Sequence, residues 1–390
     1  MRFLFIITIL FCIMSLSCKE SRVHTVPPEL SFQWKEAGAL PSNADGTPSA
    51  GLAGPVAGIS NDVLLVGGGS NFAGGAPWNG GIKKYYRDIF VYKKENDSLV
   101  LIKQNLQLPY NVAYSANCST DKGIIVAGGE NAKGSLSNVL LLNWNNTAQS
   151  IEIVNLPALP QPLSAGTIAA DGDKIYFASG QNMRLVADEL YMLDLNDTAK
   201  GWQPISRLPK PVAYTVLYIQ SNGKHKCLYL VGGRKMNTDS TSDLYDKVYQ
   251  FDLTTEQWSQ KASLPCALSA HSGAAFGENE LLVFSGDKGA TFHKTEKLLM
   301  QISKEKDSTK RELLIAEKNK LQESHPGFSH DILAYNTAKD VWQKVDSIPL
   351  VCPVTTTALQ WENDIIIPCG EIRAGVRSAN IILGRSKNSK

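Results

Sequence analysis

The sequence predicts an all-β chain, and three recurrences indicate that it is built from six copies of one four-stranded unit. The first is the pattern W-x-x-x-x-x-[LI]-P, found as WKEAGALP, WQPISRLP, WSQKASLP and WQKVDSIP from residues 34, 202, 258 and 342. The second is a short apolar run that ends in small residues, and the third is an alternating strand opened by Asp or Asn. Strands at this regularity, separated by Gly and Pro, leave no room for alternating helices.

Each recurrence is found six times. Two weaker copies of the first pattern lack the Trp and end at Pro109 and Pro157. The apolar runs are LLVGGG, IIVAGG, IYFASG, LYLVGG, LLVFSG and IIIPCG, and one alternating strand follows each of them. Small pairs followed by a spaced Tyr and Trp resemble the kelch repeat, and six such units resemble a six-bladed kelch-type β-propeller over residues 32–390. The four repeat tryptophans are expected to be core residues.

The phase of the repeats predicts how the ring of blades closes. The chain begins with the Trp-bearing strand FQWKEAGALP and ends with three strands of a unit that lacks its Trp strand. We therefore expect the first strand to complete the last blade and to remove its open edge.

One insertion interrupts the fifth unit. Residues 293–324 are rich in Lys, Glu and Leu, with apolar residues at Leu298, Ile302, Leu314 and Leu321, which is a helical spacing. The pattern predicts one long helix or a helical hairpin between the second and third strands of the fifth blade. Such an insertion is either a solvated appendage or a lid or docking surface.

The N-terminal segment predicts export. Residues 1–17 hold one Arg and a short apolar run and are typical of a signal peptide, and Cys18 then stands where a bacterial lipoprotein carries its lipid. Ordinary secretory cleavage and a retained anchor are the alternatives. Residues 18–31 are expected to be a tether. The expected location is the periplasm of a bacterium, with membrane contact only through the lipid anchor.

Composition excludes several classes of partner. The chain has 39 Lys and Arg against 37 Asp and Glu, so no basic surface for nucleic acid is indicated. Five cysteines remain after Cys18, an odd number without C-x-x-C spacing, and are expected to be buried thiols. The six histidines have no ligand spacing, so neither a metal nor another cofactor is expected.

Polar residues follow the small pair in every unit. In a propeller the connections after the second strands open on one rim of the central channel, so these residues are expected to form a ring. They are Ser70, Asn71, Glu130, Asn131, Gln181, Asn182, Arg184, Arg234, Lys235, Asp287, Lys288, Glu371, Arg373 and Arg377. Because charged side chains are costly to place at a channel mouth, the ring favours an anionic or polyhydroxylated small ligand over a bare scaffold.

Three segments carry a family resemblance. GEIRAGVR (370–377), AGLAGPVAGISNDVLLVGGG (50–69) and NGGIKKYYRDI (79–89) resemble the N-acetylneuraminate (sialic acid) mutarotase family, also called epimerases, which are kelch propellers. In that family the motif Gly-Glu-x-Lys/Arg-x-Gly-x-Arg carries the proposed catalytic Glu and Arg, which here are Glu371 and Arg377. The motif follows the AGISND segment instead of preceding it, which matches a cyclically permuted branch.

The resemblance implies an isomerase that interconverts the α- and β-anomers of N-acetylneuraminate without a cofactor. Glu371 would be the general base, and Arg377 would bind the substrate carboxylate or the opening oxygen. Arg373, Arg234, Arg184, Asn71, Glu130 and Trp78 are the expected substrate-binding residues, with a small-molecule sugar acid as the partner and a homodimer possible.

Other interpretations of the same residues stay open. Glu371 and Arg377 could be an ion pair that braces the last turn, and Trp78 could serve packing. A non-catalytic kelch module for a glycan or protein would show the same repeats. A sialidase-like hydrolase is the competing enzyme, although its Ser-x-Asp-x-Gly-x-Thr-Trp boxes are not found in the sequence.

Overall fold

The six repeat units form six antiparallel sheets of four or five strands in the structure, a computed structural model that describes residues 30–387. Each sheet is one propeller blade, with the strands following one another from the channel outwards. The predicted all-β, six-bladed propeller is thereby confirmed. The predicted signal peptide, Cys18 and nearly all of the predicted tether lie outside the described residues.

The strands are numbered in chain order, and the first belongs to the last blade. β1 spans Phe32–Ala39. The first blade contains β2 (Ala53–Ser60), β3 (Val63–Ala73), β4 (Ile82–Tyr85), β5 (Asp88–Glu95) and β6 (Ser98–Gln107), with a 3-10 helix at Pro77–Asn79. The second contains β7 (Ala116–Thr120), β8 (Gly123–Ala127), β9 (Glu130–Asn131), β10 (Gly134–Ser135), β11 (Val139–Asn145) and β12 (Ser150–Leu156). The third contains β13 (Thr167–Asp171), β14 (Lys174–Ala178), β15 (Glu189–Asp194) and β16 (Gln203–Arg207), with a 3-10 helix at Thr198–Lys200.

The remaining blades follow the same plan. The fourth contains β17 (Val216–Ser221), β18 (Lys226–Val231), β19 (Arg234–Lys235), β20 (Asp243–Leu244), β21 (Val248–Asp252) and β22 (Gln257–Lys261). The fifth contains β23 (Ser272–Phe276), β24 (Glu280–Phe284), α1 (Ala290–Lys304), α2 (Ser308–Glu323), β25 (Asp331–Asn336) and β26 (Val341–Ser347). The sixth contains β27 (Leu359–Trp361), β28 (Asp364–Arg373) and β29 (Val376–Ser386).

The first strand closes the ring as the repeat phase predicts. β1 pairs antiparallel with β29, from Phe32 opposite Ser386 to Ala39 opposite Asn380, and the sixth blade has the order β1-β29-β28-β27. Phe32 and Trp34 are buried in the apolar cluster between the fifth and sixth blades. The N-terminal strand therefore holds the C-terminal strand by both hydrogen bonds and packing.

The core lies between neighbouring blades. The described residues form six buried apolar clusters, one at each junction of two blades. Of the repeat tryptophans, Trp34 and Trp202 are buried, whereas Trp258 and Trp342 are half-buried at the edges of such clusters. The expectation that all four are core residues is therefore too strong for the last two.

The Leu-Pro or Ile-Pro pair that ends each copy of the first repeat pattern, here called the Leu-Pro mark, has a similar backbone hydrogen bond in most blades. In five blades the amide of the apolar residue before the Pro donates to a carbonyl one or two residues before the third strand, as Leu208 does to Asp188 over 2.6 Å. In the second blade this residue is Leu159, which donates to Ser137 over 2.8 Å. The sixth copy of the mark is therefore Leu159-Pro160, three residues beyond the Pro157 that the sequence indicated.

A closed belt of backbone hydrogen bonds surrounds the channel. Its six members, one per blade, are Gly54, Tyr114, Ala165, Tyr214, Ala270 and Thr355. Each amide donates to the carbonyl of the member in the preceding blade, over 2.7 to 3.0 Å, and every member has a positive φ. This inner belt links all six blades and fixes where their first strands begin.

The helical insertion is the predicted hairpin between the second and third strands of the fifth blade. Its helices bury little, since Leu298 is the only buried residue of α1 and α2 buries none. The hairpin nevertheless contacts other blades: Glu296 accepts hydrogen bonds from the amide and hydroxyl of Ser242 in the fourth blade, and α2 reaches the 3-10 helix of the first. It therefore lies along the rim of the channel and does not project into solvent alone.

Candidate active site

Six residues occupy equivalent positions on one rim of the channel. Each forms an antiparallel bridge with the residue just before an inner-belt member: Ser70 with Ala53, Glu130 with Ala113, Gln181 with Ser164, Arg234 with Ala213, Asp287 with Ser269, and Glu371 with Val354. We call these six the rim ring. The first residue after each small pair therefore lies in a ring directly beside the inner belt.

The segment GEIRAGVR is the tip of the hairpin formed by β28 and β29. Glu371 and Arg377 are direct partners across the two strands, joined through the turn Ala374-Gly375. Gly375 has a φ of +78°, which suits glycine, and its amide donates to Glu371 Oε1 over 2.7 Å. The six-residue spacing of Glu and Arg is thus the spacing of a facing pair around a tight turn.

Arg377 is a buried cation beside this carboxylate. Its Nη1 lies 3.4 Å from Glu371 Oε1, and its guanidinium carbon lies 4.6 Å from the centre of the Phe72 ring. The Arg377 side chain is 4% exposed and that of Glu371 is 18% exposed. Nε and Nη1 of Arg377 find no hydrogen-bond acceptor among the described residues. An acceptor brought to these donors would be bound favourably, because unpaired buried donors are costly.

The β3–β4 hairpin connects this pair with Glu130. Phe72 faces Lys83 and Ser70 faces Tyr85 across the two strands, so all four side chains lie on one face. Phe72 contacts Arg377, while the Lys83 ammonium and the Tyr85 hydroxyl each donate to Glu130 Oε1 over 2.8 Å. One face of the β3–β4 hairpin therefore contacts both Arg377 of the sixth blade and Glu130 of the second.

Lys83 and Tyr85 keep their protons in this setting. Burial opposes the charge of Lys83, but the neighbouring Tyr114 and the Glu130 carboxylate outweigh it and raise the pKa of the ammonium. The ammonium lies 4.6 Å from the centre of the Tyr114 ring, which adds a cation–π contact. Burial also raises the pKa of Tyr85. At neutral pH the face thus presents an ammonium and a neutral phenol.

Two inner-belt tyrosines form an aromatic wall. The rings of Tyr114 and Tyr214 meet edge to face with centres 6.4 Å apart, on either side of the small Ala165 in the belt. Burial raises the pKa of Tyr214 to about 12, with Arg234 opposing it. The Arg234 guanidinium carbon lies 4.0 Å from the centre of the Tyr214 ring and 4.4 Å from that of Phe292 in α1.

The channel below the rim contains a cavity of about 370 Å³. The inner belt and the innermost strands line it, with Tyr218, His271 and Thr355 among the lining residues. Polar atoms of these three side chains are buried without a hydrogen-bond partner in the described chain. Burial lowers the pKa of His271 to about 4, so the imidazole is neutral at pH 7. The cavity therefore offers uncharged polar groups, and the charged residues of the rim ring are not among those that line it.

Four of the expected binding residues are placed differently from this cluster. Asn71 is buried on the opposite face of the β3–β4 hairpin, where it donates to Gly51 over 2.9 Å and accepts from Tyr86 over 2.7 Å, so its polar groups serve the protein itself. Trp78 packs against the turn at Gly375. Arg373 is exposed at that turn, and Arg184 is exposed on a loop of the third blade that Asn182 holds.

Sequence reasoning missed Lys83, Tyr85, Tyr114, Tyr214 and Phe292. The first two lie within a segment that resembles the family but were not singled out there, and Phe292 precedes the predicted insertion. A signal for the tyrosines existed: aligning the stretches after Leu-Pro gives VAYS in one unit and VAYT in another, where the unit between them has LSAG.

The titratable side chains of residues 30–387 do not form a metal site. In that range no group of three or more His, Cys, Asp or Glu side chains is arranged to hold a metal ion. The five cysteines in the described chain are free thiols, three of them buried and two half-buried. None of the helices in the same range has the length and apolar character needed to cross a membrane.

The comparison with known proteins decides the family. The family model described as N-acetylneuraminate epimerase matches residues 16–151 and 156–390, nearly the whole chain. The chain belongs to the N-acetylneuraminate epimerase family. This confirms the resemblance found in GEIRAGVR and its companion segments.

Curated relatives of the family are distant in sequence. N-acetylneuraminate epimerase of Salmonella typhi is 24% identical over 237 residues, which are 60% of this chain and 59% of the relative. The protein of the same name from Haemophilus influenzae (strain 86-028NP) is 25% identical over 235 residues, 59% of each chain. The matched region thus spans about 59% of the length of these relatives, and their activity is a proposal for this chain.

Proposed function

We propose that this protein is a mutarotase that interconverts the α- and β-anomers of N-acetylneuraminate or a closely related 2-keto sugar acid. The observation that carries the proposal is the pair formed by Glu371 and Arg377 on the channel rim: a partly exposed carboxylate held by a turn amide and a buried guanidinium. Family membership and the names of the relatives support the choice of sugar.

The reaction needs two proton transfers in each direction. A base removes the proton of the anomeric hydroxyl, the bond between the anomeric carbon and the ring oxygen breaks as the carbonyl forms, and the ring oxygen gains a proton. Closure on the other face of the carbonyl reverses these steps and gives the other anomer. Glu371 is the base, and water or the neutral phenol of Tyr85 supplies the second proton.

Arg377 acts on the charge that develops at the base and the opening ring. Its guanidinium is fixed by the Phe72 ring and by the carboxylate of Glu371. Its Nε and Nη1 donors are buried and have no hydrogen-bond acceptor in the described chain, and at such a site a hydrogen bond to developing negative charge is stronger than in water. The cation is thereby available without reorganisation at the moment of reaction.

The test follows anomers by proton NMR after α-N-acetylneuraminate is freshly released in the presence of the purified protein. We expect the wild type to reach the solution equilibrium faster than buffer alone and with the same end point. Glu371→Gln removes the base while keeping shape, and should lower the enzymatic rate by about 100-fold or more.

Glu362→Gln is the matched control, because Glu362 is an exposed carboxylate 3.1 Å from Lys94 in the turn between β27 and β28, at the end of these strands opposite the rim. It should leave the rate unchanged. A wild type that leaves the spontaneous rate unaltered would indicate a binding module. A Glu371→Gln variant as fast as wild type would remove Glu371 from the mechanism, and release of sugar from a glycoside would indicate a hydrolase.

A further inference from the structure

Among the arginines that the structure describes, Arg234 alone lies against two aromatic rings. Arg207, Arg377 and Arg385 each lie within 4.0 Å of a carboxylate. Arg234 forms neither an ion pair nor a side-chain hydrogen bond within residues 30–387. Its guanidinium lies between the Tyr214 ring, at 4.0 Å, and the Phe292 ring, at 4.4 Å.

Rings packed on both faces of a guanidinium leave its edge free to bind a ligand. The five N–H groups of a guanidinium lie in its plane, so two rings that cover its faces block no donor. The edge remains free to accept a planar anion through two parallel hydrogen bonds. The rings also fix the orientation of the fork, which lowers the entropic cost of forming those bonds.

The start of α1, which carries Phe292, is bonded to the fourth blade. His293 Nε2 lies 2.9 Å from the carbonyl of Ser242, and Glu296 accepts from the amide and hydroxyl of the same serine. Ser242 directly precedes β20, which pairs with the strand that carries Arg234. The first turns of α1 and the Arg234 hairpin therefore form one unit.

Three other cations near the rim are poorer receptors for a carboxylate. Arg377 already lies 3.4 Å from Glu371, so a second carboxylate there would meet a like charge. Lys83 is bonded to Glu130. Arg373 is exposed at a turn, and no contact in the described chain fixes its guanidinium.

We infer that Arg234 binds the carboxylate of the sugar acid and that the helical insertion completes this subsite through Phe292. The identity of the ligand rests on the proposed function, but the carboxylate preference does not. Arg377 is then left to act on the reacting atoms.

The experiment compares two probes, N-acetylneuraminate and its methyl ester, by isothermal titration calorimetry. A charged bidentate pair predicts that wild type prefers the acid by roughly 10- to 100-fold. Arg234→Gln should bind acid and ester equally, and Arg234→Lys should keep part of the preference because the charge remains without the fork. Phe292→Ala should weaken acid binding by roughly 2- to 30-fold, the range of a cation–π contact.

Arg207→Gln is the matched control, an exposed arginine paired with Asp188 on the third blade, and it should bind both probes as wild type does. The inference is overturned if Arg234→Gln keeps the preference for the acid, or if wild type shows none. Thermal unfolding of each variant checks the fold, and Arg234→Lys tests the site should Arg234→Gln unfold. If the preference depends on Arg234 but no mutarotation is found, the subsite stands and the proposed reaction fails. Fast mutarotation with a preference independent of Arg234 would leave the reaction standing and overturn the subsite.

Discussion

Two arginines at the rim pack against aromatic rings, and their different surroundings suit them to different roles. Arg377 stacks on one ring, is 4% exposed and has a carboxylate beside it. Arg234 stacks between two rings and has its edge free of protein carboxylates in the described chain. A buried cation beside the base suits the reacting atoms, whereas a fixed and accessible fork suits a substrate carboxylate.

This division predicts that Arg377→Lys slows the reaction without weakening substrate binding. Lysine keeps the charge, but it cannot stack flat on Phe72 or present the same two donors. We expect the mutarotation rate at saturating sugar to fall by about 10-fold or more, with little change in KM. Arg385→Lys is the control, since Arg385 lies at the end of β29 opposite the rim, beside Asp364 and Asp97. A rise in KM at unchanged kcat would instead place Arg377 on the substrate carboxylate.

At the scale of residues, the sequence could predict pairs that lie close together along the chain. Glu371 and Arg377 share a hairpin, so their spacing already carries their geometry. The contacts of Lys83 with Glu130 and of Arg234 with Phe292 join different blades or an insertion. The repeat pattern and the apolar periodicity of the sequence do not predict contacts between residues so far apart along the chain. Asn71 was expected at the site because it follows a small pair. It lines a pocket together with Phe72 and Arg377, and its amide group is bonded to Gly51 and Tyr86.

Among the elements, the β28–β29 hairpin depends most on one residue. Gly375 has a φ of +78°, and an added Cβ would lie 2.7 Å from Pro77 Cδ and 3.0 Å from Trp78 Cζ3. Its amide also holds Glu371. Gly375→Ala should therefore displace either the hairpin or the 3-10 helix and move the base. We expect a mutarotation rate about 10- to 100-fold lower, since small misplacements of a reacting group are costly.

Gly46→Ala separates steric displacement from backbone strain. Gly46 has nearly the same φ, +81°, but nothing lies within 4 Å of an added Cβ. Both variants carry the strain of a left-handed alanine, about 1–2 kcal/mol. Only Gly375→Ala should lose activity in the NMR assay. Equal activity of the two variants would mean that the hairpin accommodates the methyl group without moving Glu371.

For the insertion, the sequence predicts the helices but not where they dock. Its helical spacing was evident from the apolar residues, and Leu298 is the one that α1 buries. Its docking on the rim relies instead on polar contacts with Ser242 and on the ring of Phe292. Hydrophobic periodicity does not predict such contacts, so the sequence could not show whether the insertion is a solvated appendage or a lid.

At the scale of the whole molecule, the ring was the most predictable feature. Repetition fixes the number of blades, and the phase of the first and last strands fixes how they join. A ring also explains why a motif can lie at the end of the chain and still belong to a site. The sixth and first blades are neighbours, and Arg377 reaches Phe72 across that junction.

Ring closure predicts that removing residues 32–41 damages the protein far more than replacing residues 294–323 with a short Gly-Ser linker. The first deletion removes β1 with the buried Phe32, Trp34 and Ala37, and it exposes the edge of β29. Losing a buried Phe or Trp side chain costs about 3–5 kcal/mol each, a large part of a total stability of about 5–15 kcal/mol. The second removes more residues, but Leu298 is the only buried one among the two helices.

Differential scanning calorimetry with size-exclusion chromatography measures both outcomes. We expect the strand deletion to lower Tm by at least about 10 °C or to form aggregates through the open edge, and the insertion replacement to stay within about 5 °C of wild type. The larger deletion should therefore be the milder one, because stability follows buried surface and closed edges and not the number of residues. Equal Tm values for the strand deletion and the wild type would show that the inner belt alone holds the ring and that β1 is dispensable.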